Sequence, residues 1–293
     1  MKKNLVVIRA GDSSLHHRWL EMDYDDRHFD LVVSYFSEEA FANFVPEPGV
    51  EAVLIKGGKW DGLYETIVDR DLNRYEFYWL PDDDLDISAS DVNALFAAME
   101  QHGLSVAQPS LTPDSYFSHF VFSQCPDFIL RYTNYVEIMA PCLHHDILAR
   151  ALPLFKDTMS GYGLDYIWCR WPEAGAFRAA ILDQIAMHHT RPIGKNLKVA
   201  MAAKNNLSSE QEEAALKEAF NLTDRTVPLV FAGILVGGQP LSGRIQMGWR
   251  MCRCWLSVLS GFRCKREARA GIVKVARRQI SKPLDMTTIS SSR

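Results

Sequence analysis

Four runs of strand length and strand composition fall early in the chain, at Asn4 to Ile8, Phe29 to Phe36, Glu51 to Lys56 and Tyr75 to Leu80. Segments of roughly 20 residues separate them, a length that suits crossovers rather than hairpins. Strands joined in this way lie parallel and carry helices on the sheet faces. An α/β domain with a mostly parallel central sheet is the expected fold. Ser90 to His102, apolar at Val92, Leu95, Phe96 and Met99, supplies one flanking helix.

In open parallel sheets, ligands sit beyond the carboxyl ends of the strands. Arg9 and Asp12 follow the first run, and Lys56 to Lys59 follow the third. The fourth stops at Pro81 and delivers Asp82, Asp83 and Asp84 together, with Asp86 just beyond. Three adjacent carboxylates repel one another. They either form a solvated cap for the helix that follows or gather about a hard cation such as Mn²⁺ or Mg²⁺.

The second half opens with a further strand at Leu104 to Ala107, and the aromatic run Ser115 to Phe122 pairs naturally with Asn134 to Ala140 as an antiparallel unit. Cys142 to Phe155 reads as helix, beginning with His144-His145-Asp146 as its cap. Ser160 to Asp165 is a glycine-rich bend that presents one acid, and Phe177 to Met187 is an apolar run ending in His188-His189-Thr190-Arg191-Pro192. Asp165 is a candidate general base for an attacking hydroxyl, or else the N-cap of a helix starting near Tyr166. Arg9 and Asp12 are candidates for nucleotide contact, and Lys59 with Trp60 for charge and a stacking face, though each could serve only the fold. Glu137 could orient an acceptor or satisfy a buried partner. Asn205 to Asn221 reads as an exposed acidic helix.

Several classes are disfavoured. Of the 293 residues, 47% are hydrophobic and 23% charged, the balance of a water-soluble globular chain. The amino end carries too short an apolar stretch for a signal peptide, and the longest apolar run, Val227 to Gly237, is half what a membrane span needs. A cytoplasmic location is expected. The six cysteines lack zinc-site spacing and are expected as reduced thiols. P-loop, nucleophile-elbow and zincin motifs do not occur.

Charge divides the chain. Residues 1–243 hold 20 basic and 34 acidic side chains, whereas residues 244–293 hold 12 and 2, so a body of −14 carries a tail of +10. Arg244 to Arg278 interleaves its cations with Met247, Trp249, Met251, Trp255, Leu256, Leu259 and Phe262. Such a helical segment either lies on an anionic membrane or covers the acidic body. Nucleic acid is not an expected partner.

Leu80-Pro-Asp-Asp-Asp-Leu85, Val136-Glu-Ile-Met-Ala-Pro141, Gly161-Tyr-Gly-Leu-Asp165 and His188-His-Thr-Arg-Pro192, in this order, resemble an uncharacterised bacterial and plant family. Its plant members are labelled lysine-ketoglutarate reductase trans-splicing-related, and the family is similar in turn to nucleotide-sugar glycosyltransferases of the GT-A fold. The resemblance spans about residues 3 to 195. It implies that Asp82 and Asp84 match a D-x-D motif holding Mn²⁺ or Mg²⁺ on the donor diphosphate, with His189 as a further metal ligand and Arg191 near the phosphates. Asp83 would face the donor ribose or sugar.

The sequence therefore leads us to expect a GT-A-like domain over residues 1–200 and a basic helical extension over 201–293. The expected activity is metal-dependent transfer, with inversion favoured, from a nucleotide sugar to a glycan or glycolipid in surface polysaccharide assembly. Two alternatives use the same acids, a phosphoryl or nucleotidyl transferase and a non-catalytic nucleotide-sugar-binding protein. The location would be cytoplasmic, with the tail placing the enzyme peripherally on the inner face of a membrane.

Overall fold

In this computed structural model the described residues are 2–171, 173, 175, 177–192, 208–222 and 226–289. Strands β1 (Asn4–Ala10), β2 (Phe29–Tyr35), β3 (Val50–Leu54) and β4 (Phe77–Trp79) pair in parallel in the order β4-β1-β2-β3. All seven residues of β1 are buried, as a strand covered on both faces requires. On the far side of β4 lie β8 (Cys142–His144), β6 (Val106–Leu111), β9 (Ala179–His189), β7 (Phe128–Thr133), β10 (Val230–Leu235) and β11 (Pro240–Ser242). β8 is antiparallel to both β4 and β6, which restores the direction of β1 in β6 and in its parallel neighbour β9. Seven of these ten strands point one way, so the mostly parallel α/β sheet expected from the crossover spacing is present. The two-residue strand β5 (Leu85–Asp86) lies off this path and pairs antiparallel with the end of β9.

Helices α1 (Glu38–Ala42), α2 (Trp60–Ile67), α3 (Ala89–Gln101), α4 (His145–Phe155), α5 (Leu164–Ile167), α6 (Ser209–Ala219), α7 (Arg244–Ser257) and α8 (Lys265–Ser281) flank the sheet. The hydroxyl of Ser88 caps α3 by accepting from the Asp91 amide, and the helix buries Val92, Leu95, Phe96 and Met99, the face its periodicity marked.

Two expectations fail. Ser115 to Phe122 and Asn134 to Ala140 are not a strand pair; both are irregular apart from a short 3₁₀ turn at Phe120–Phe122, and the strand lies between them as β7. A charged residue at its centre hid it. Arg131 is fully buried, donating from Nε to Asp183 Oδ2 at 2.6 Å and from Nη2 to Oδ1 at 2.8 Å, with further bonds to the Val121 and Ser123 carbonyls. Cys142–His144 is likewise strand rather than helix, held between β4 and β6, and the helix starts at His145.

The basic segment is helical, as its composition suggested, and it is fastened to the body. Its inward side chains Met247, Met251, Trp255, Ile272 and Val275 are buried. Trp255 Nε1 donates to the Ser123 and Gln124 carbonyls, and Gln279 bonds both the N–H and the C=O of Val230. β10 and β11 add their strands to the same sheet. The expected division at residue 200 lies outside the described residues. Among these, no helix is long and apolar enough to cross a membrane.

Candidate active site

The acid triplet stands where β4 ends. Asp82 N–H donates to the Met139 carbonyl at 2.8 Å, so the irregular segment 134–140 runs directly over the strand end. Lys59, at the start of α2, donates to Asp82 Oδ1 at 2.6 Å, to the Ile138 carbonyl at 2.6 Å and to the Met139 carbonyl at 3.0 Å. Its three N–H groups are thereby used, which makes Lys59 a holder of Asp82 and of the overlying segment rather than a free cation for a ligand. Burial pulls the Lys59 pKa down, and it pushes the Asp82 carboxyl up against the lowering effect of Lys59. Asp82 retains 37% side-chain exposure, so its carboxylate keeps contact with solvent.

Asp83 turns toward the first strand. Its Oδ2 accepts from the Gly11 amide at 3.0 Å, and its Oδ1 lies 3.1 Å from Arg191 Nη1. Arg191 also donates to the Ser13 carbonyl, and a third of its side chain stays exposed at the rim. Asp84 turns toward the last run. Its backbone carbonyl accepts from Thr190 N–H and Oγ1, and β5 continues this pairing by setting Leu85 opposite His189. The His189 ring follows, with Nε2 3.2 Å from Asp84 Oδ2 and Nδ1 3.0 Å from the Tyr116 carbonyl. Burial lowers the His189 pKa, but the hydrogen bond and charge of Asp84 outweigh it and leave the imidazole above its ordinary value. His188, on the opposite face of the strand, points its ring toward the exposed Asp114, 3.8 Å away.

The glycine-rich bend packs against the start of α2. Gly161, at φ +71°, lies so close to Trp60 that a Cβ would stand 2.0 Å from the indole nitrogen. Gly163, at φ +101°, starts α5, which carries Asp165. Asp165 is buried and accepts a hydrogen bond from Tyr135 OH, while its backbone carbonyl accepts from Val136 N–H at 2.9 Å. Glu137 is buried between these parts. Burial drives its carboxyl well above the carboxylate range, and the charges of Asp165 and Asp82 push the same way. In the sequence Tyr135 reads only as a strand residue two positions before Glu137; what gives it a place at Asp165 is a contact that only the fold creates.

Other expected residues lie differently. Arg9 is a buried strut, donating to Ser34 Oγ and to the carbonyls of Ile55, Gly57 and Gly58, so it binds β1 to the loop before α2 instead of facing a nucleotide. Trp60 offers no stacking face; it is buried against Phe155, Trp168 and Gly161. Asp12 is exposed, accepts from Ser37 Oγ, and lines a pocket of about 280 Å³ with His16, His17, Tyr35 and Asn43 at the carboxyl ends of β1 and β2. His144 caps α4, its Nδ1 accepting from Asp146 N–H at 3.3 Å.

A divalent cation can be tested against these donors. Among the described residues Asp84 Oδ1 is buried without a hydrogen-bond partner, a carboxylate oxygen that a hard cation would satisfy. Asp82 and His189 flank it. Lys59 occupies one Asp82 oxygen, Oδ1, and among the described residues the three donors that already converge, with ligand atoms within 4.8 Å of one another, are His144, His145 and Asp146 at the amino end of β4.

No family model matches this sequence, and no curated protein matches it. The resemblance drawn from the four motifs therefore rests on those motifs. Among solved structures, the chain is similar to Staphylococcus aureus TarS 1-349 in complex with UDP-GlcNAc, at 11% identity, TM-score 0.45, and coverage of 95% of this chain and 90% of that one. It is also similar to S. aureus TarS in a longer form, at 14% identity and TM-score 0.41, covering 95% of this chain and 55% of the other.

Proposed function

We propose that this chain transfers a sugar from a nucleotide-sugar donor to the hydroxyl of a glycan or glycolipid, with Asp82, Asp84 and His189 holding Mn²⁺ or Mg²⁺. The observation that carries the reading is the meeting of two strand ends. The acids after β4 and the imidazole and guanidinium at the end of β9 come together, and Glu137 lies within the electrostatic reach of both Asp82 and the buried Asp165 on its glycine-hinged turn. When bound, the cation neutralises charge on the departing diphosphate. Arg191 adds a positive charge at the rim, close to where the phosphates would lie. Asp83, fixed between Gly11 and Arg191, is tied through the Gly11 amide to the pocket of Asp12, His16 and Tyr35, which suits the nucleoside. Arg9 supports this wall from behind.

Asp165 is the base in this reading. It accepts the proton of the acceptor hydroxyl while that oxygen bonds to the anomeric carbon from the face opposite the diphosphate, and the carbon–oxygen bond to the diphosphate breaks. Configuration inverts. Tyr135 OH orients the accepting carboxylate, and burial together with the charges of Asp165 and Asp82 raises the Glu137 pKa, which disfavours a further negative charge beside them. Residues 1–200 supply the chemistry in this reading, and the described residues of the 201–293 extension complete the sheet and present a surface.

That surface favours a position at the inner face of a membrane, as a peripheral enzyme of surface polysaccharide assembly. Ile245, Trp249 and Leu256 on α7 share one helical stripe, as do Val273 and Ile280 on α8, and all five are more than half exposed. Arg253, Arg266, Arg269 and Arg277 are exposed among them.

The test is a panel of nucleotide sugars and nucleoside triphosphates offered with and without Mn²⁺. Consumption of a nucleotide sugar, with an inverted anomeric centre by product NMR, supports the reading. Consumption of a triphosphate alone favours a phosphoryl or nucleotidyl transferase, binding without turnover favours a non-catalytic protein, and a retained configuration removes Asp165 as base.

A further inference from the structure

A second concavity, of about 440 Å³, lies between the segment 116–120 and α8, outside the groups used so far. Tyr116, Phe117 and Phe120 form its aromatic side, and Arg263 and Lys274 its cationic side. Gly271 sets the floor. A Cβ there would stand 2.4 Å from Phe120 Cγ, so only a glycine lets the phenyl ring seat against the helix.

This groove is joined to the candidate active site through one residue. Tyr116 N–H donates to the His189 carbonyl at 3.1 Å, and the Tyr116 carbonyl lies 3.0 Å from His189 Nδ1. Its ring meanwhile lies under the Arg263 guanidinium, 4.0 Å from the ring centroid. The strand order sets the groove apart from the nucleoside side. Asp12 and Tyr35 belong to the β1–β2 side of β4, whereas His189 and Tyr116 belong to the β9 side. A donor spanning from Asp12 to the acids leaves this second side open to the other substrate.

The chemistry of the lining selects what can bind. Aromatic faces pack against the C–H face of a pyranose, and two exposed cations beside them attract an oxyanion. Arg263 is shared with Glu267 at 3.4 Å, but among the described residues Lys274 makes no ion pair. We propose that the groove is the acceptor site and that the acceptor is a saccharide carrying an oxyanion, a phosphate or a carboxylate. This inference rests on the glycosyl-transfer reading and names the substrate class on its second side.

The test uses the full chain and four probes: glucose, glucose 6-phosphate, glucuronate and inorganic phosphate, titrated by ligand-observed NMR. One or both charged sugars should bind at least about tenfold more tightly than glucose, and which one does separates phosphate from carboxylate. Lys274→Ala and Arg263→Ala, both at exposed positions, should each weaken that sugar about fivefold or more and leave glucose unchanged. Phe117→Ala should weaken charged sugars and glucose alike. Equal affinity for glucose and both charged sugars, indifference to Lys274→Ala, or inorganic phosphate binding as tightly as glucose 6-phosphate would each overturn the proposal. Nucleoside diphosphate binding with Mn²⁺ is measured in parallel and should persist in all three variants. Its absence from the wild-type protein, with charged-sugar binding intact, would refute the donor side and leave the groove as a saccharide site.

Discussion

His189 Nε2 lies 3.2 Å from Asp84 Oδ2, although the two residues belong to different halves of the chain. The two-residue pairing of β5 with β9 makes this contact, since it fixes the register in which Leu85 faces His189. Neither side chain alone defines a site; their register does.

Asp84→Ala should abolish the Mn²⁺ dependence of donor binding and weaken the donor by about tenfold or more, roughly 1.4 kcal/mol. Asp86→Ala is the control, because Asp86 pairs with Arg18 instead of facing the acids. Calorimetric titration of the best nucleotide from the panel, with and without metal, distinguishes the two variants. Equal metal dependence in Asp84→Ala and wild type would remove Asp84 from the ligand set.

Arg131 and Asp183 are both fully buried. Arg131→Met strands the Asp183 carboxylate in the core and should cost about 3–5 kcal/mol in urea unfolding. Arg131→Met combined with Asp183→Leu removes both charges and should recover most of that loss. A double variant no more stable than the single one would show that the carbonyl bonds of Arg131 matter more than its ion pair.

Burial lowers the His16 pKa from 6.5 to about 4, with His17 adding to the effect. Between these two values the unfolded chain binds a proton that the folded chain refuses, so stability should rise with pH through this window and fall as pH drops from about 6.5 toward 4. The size is on the order of 1–3 kcal/mol. His16→Gln should flatten the dependence of melting temperature on pH in that range, and an unchanged slope would mean that His16 titrates normally.

Trp249→Glu and Ile280→Glu alter exposed positions and should leave the melting temperature nearly unchanged. If α7 and α8 meet an anionic bilayer, each should reduce sedimentation with phosphatidylglycerol vesicles severalfold, while binding to neutral vesicles stays low throughout. Wild-type protein that ignores anionic vesicles would end this idea.

The parallel half of the sheet was legible because its strands are continuous apolar runs at crossover spacing, and Asp82 to Asp84 were legible because Pro81 ends one of those runs. β7 was not legible. Its central Arg131 has the sequence signature of an exposed residue, and its partner Asp183 is far away in the chain. Arg9 and Lys59 were misplaced for a related reason. A cation after a strand can face a ligand or satisfy local carbonyls, and only the course of segments 55–58 and 134–140 decides between these. Tyr135 and Tyr116 act through bonds to distant residues, which local periodicity does not record.

The lateness of β9 has a consequence for synthesis. The imidazole and guanidinium that complete the acid cluster leave the ribosome long after the acids themselves, and the same strand carries the counter-ion for Arg131. Until β9 docks, the triplet lacks its imidazole and guanidinium and Arg131 lacks its carboxylate partner. Assembly of the chemistry and consolidation of the interior become a single late event.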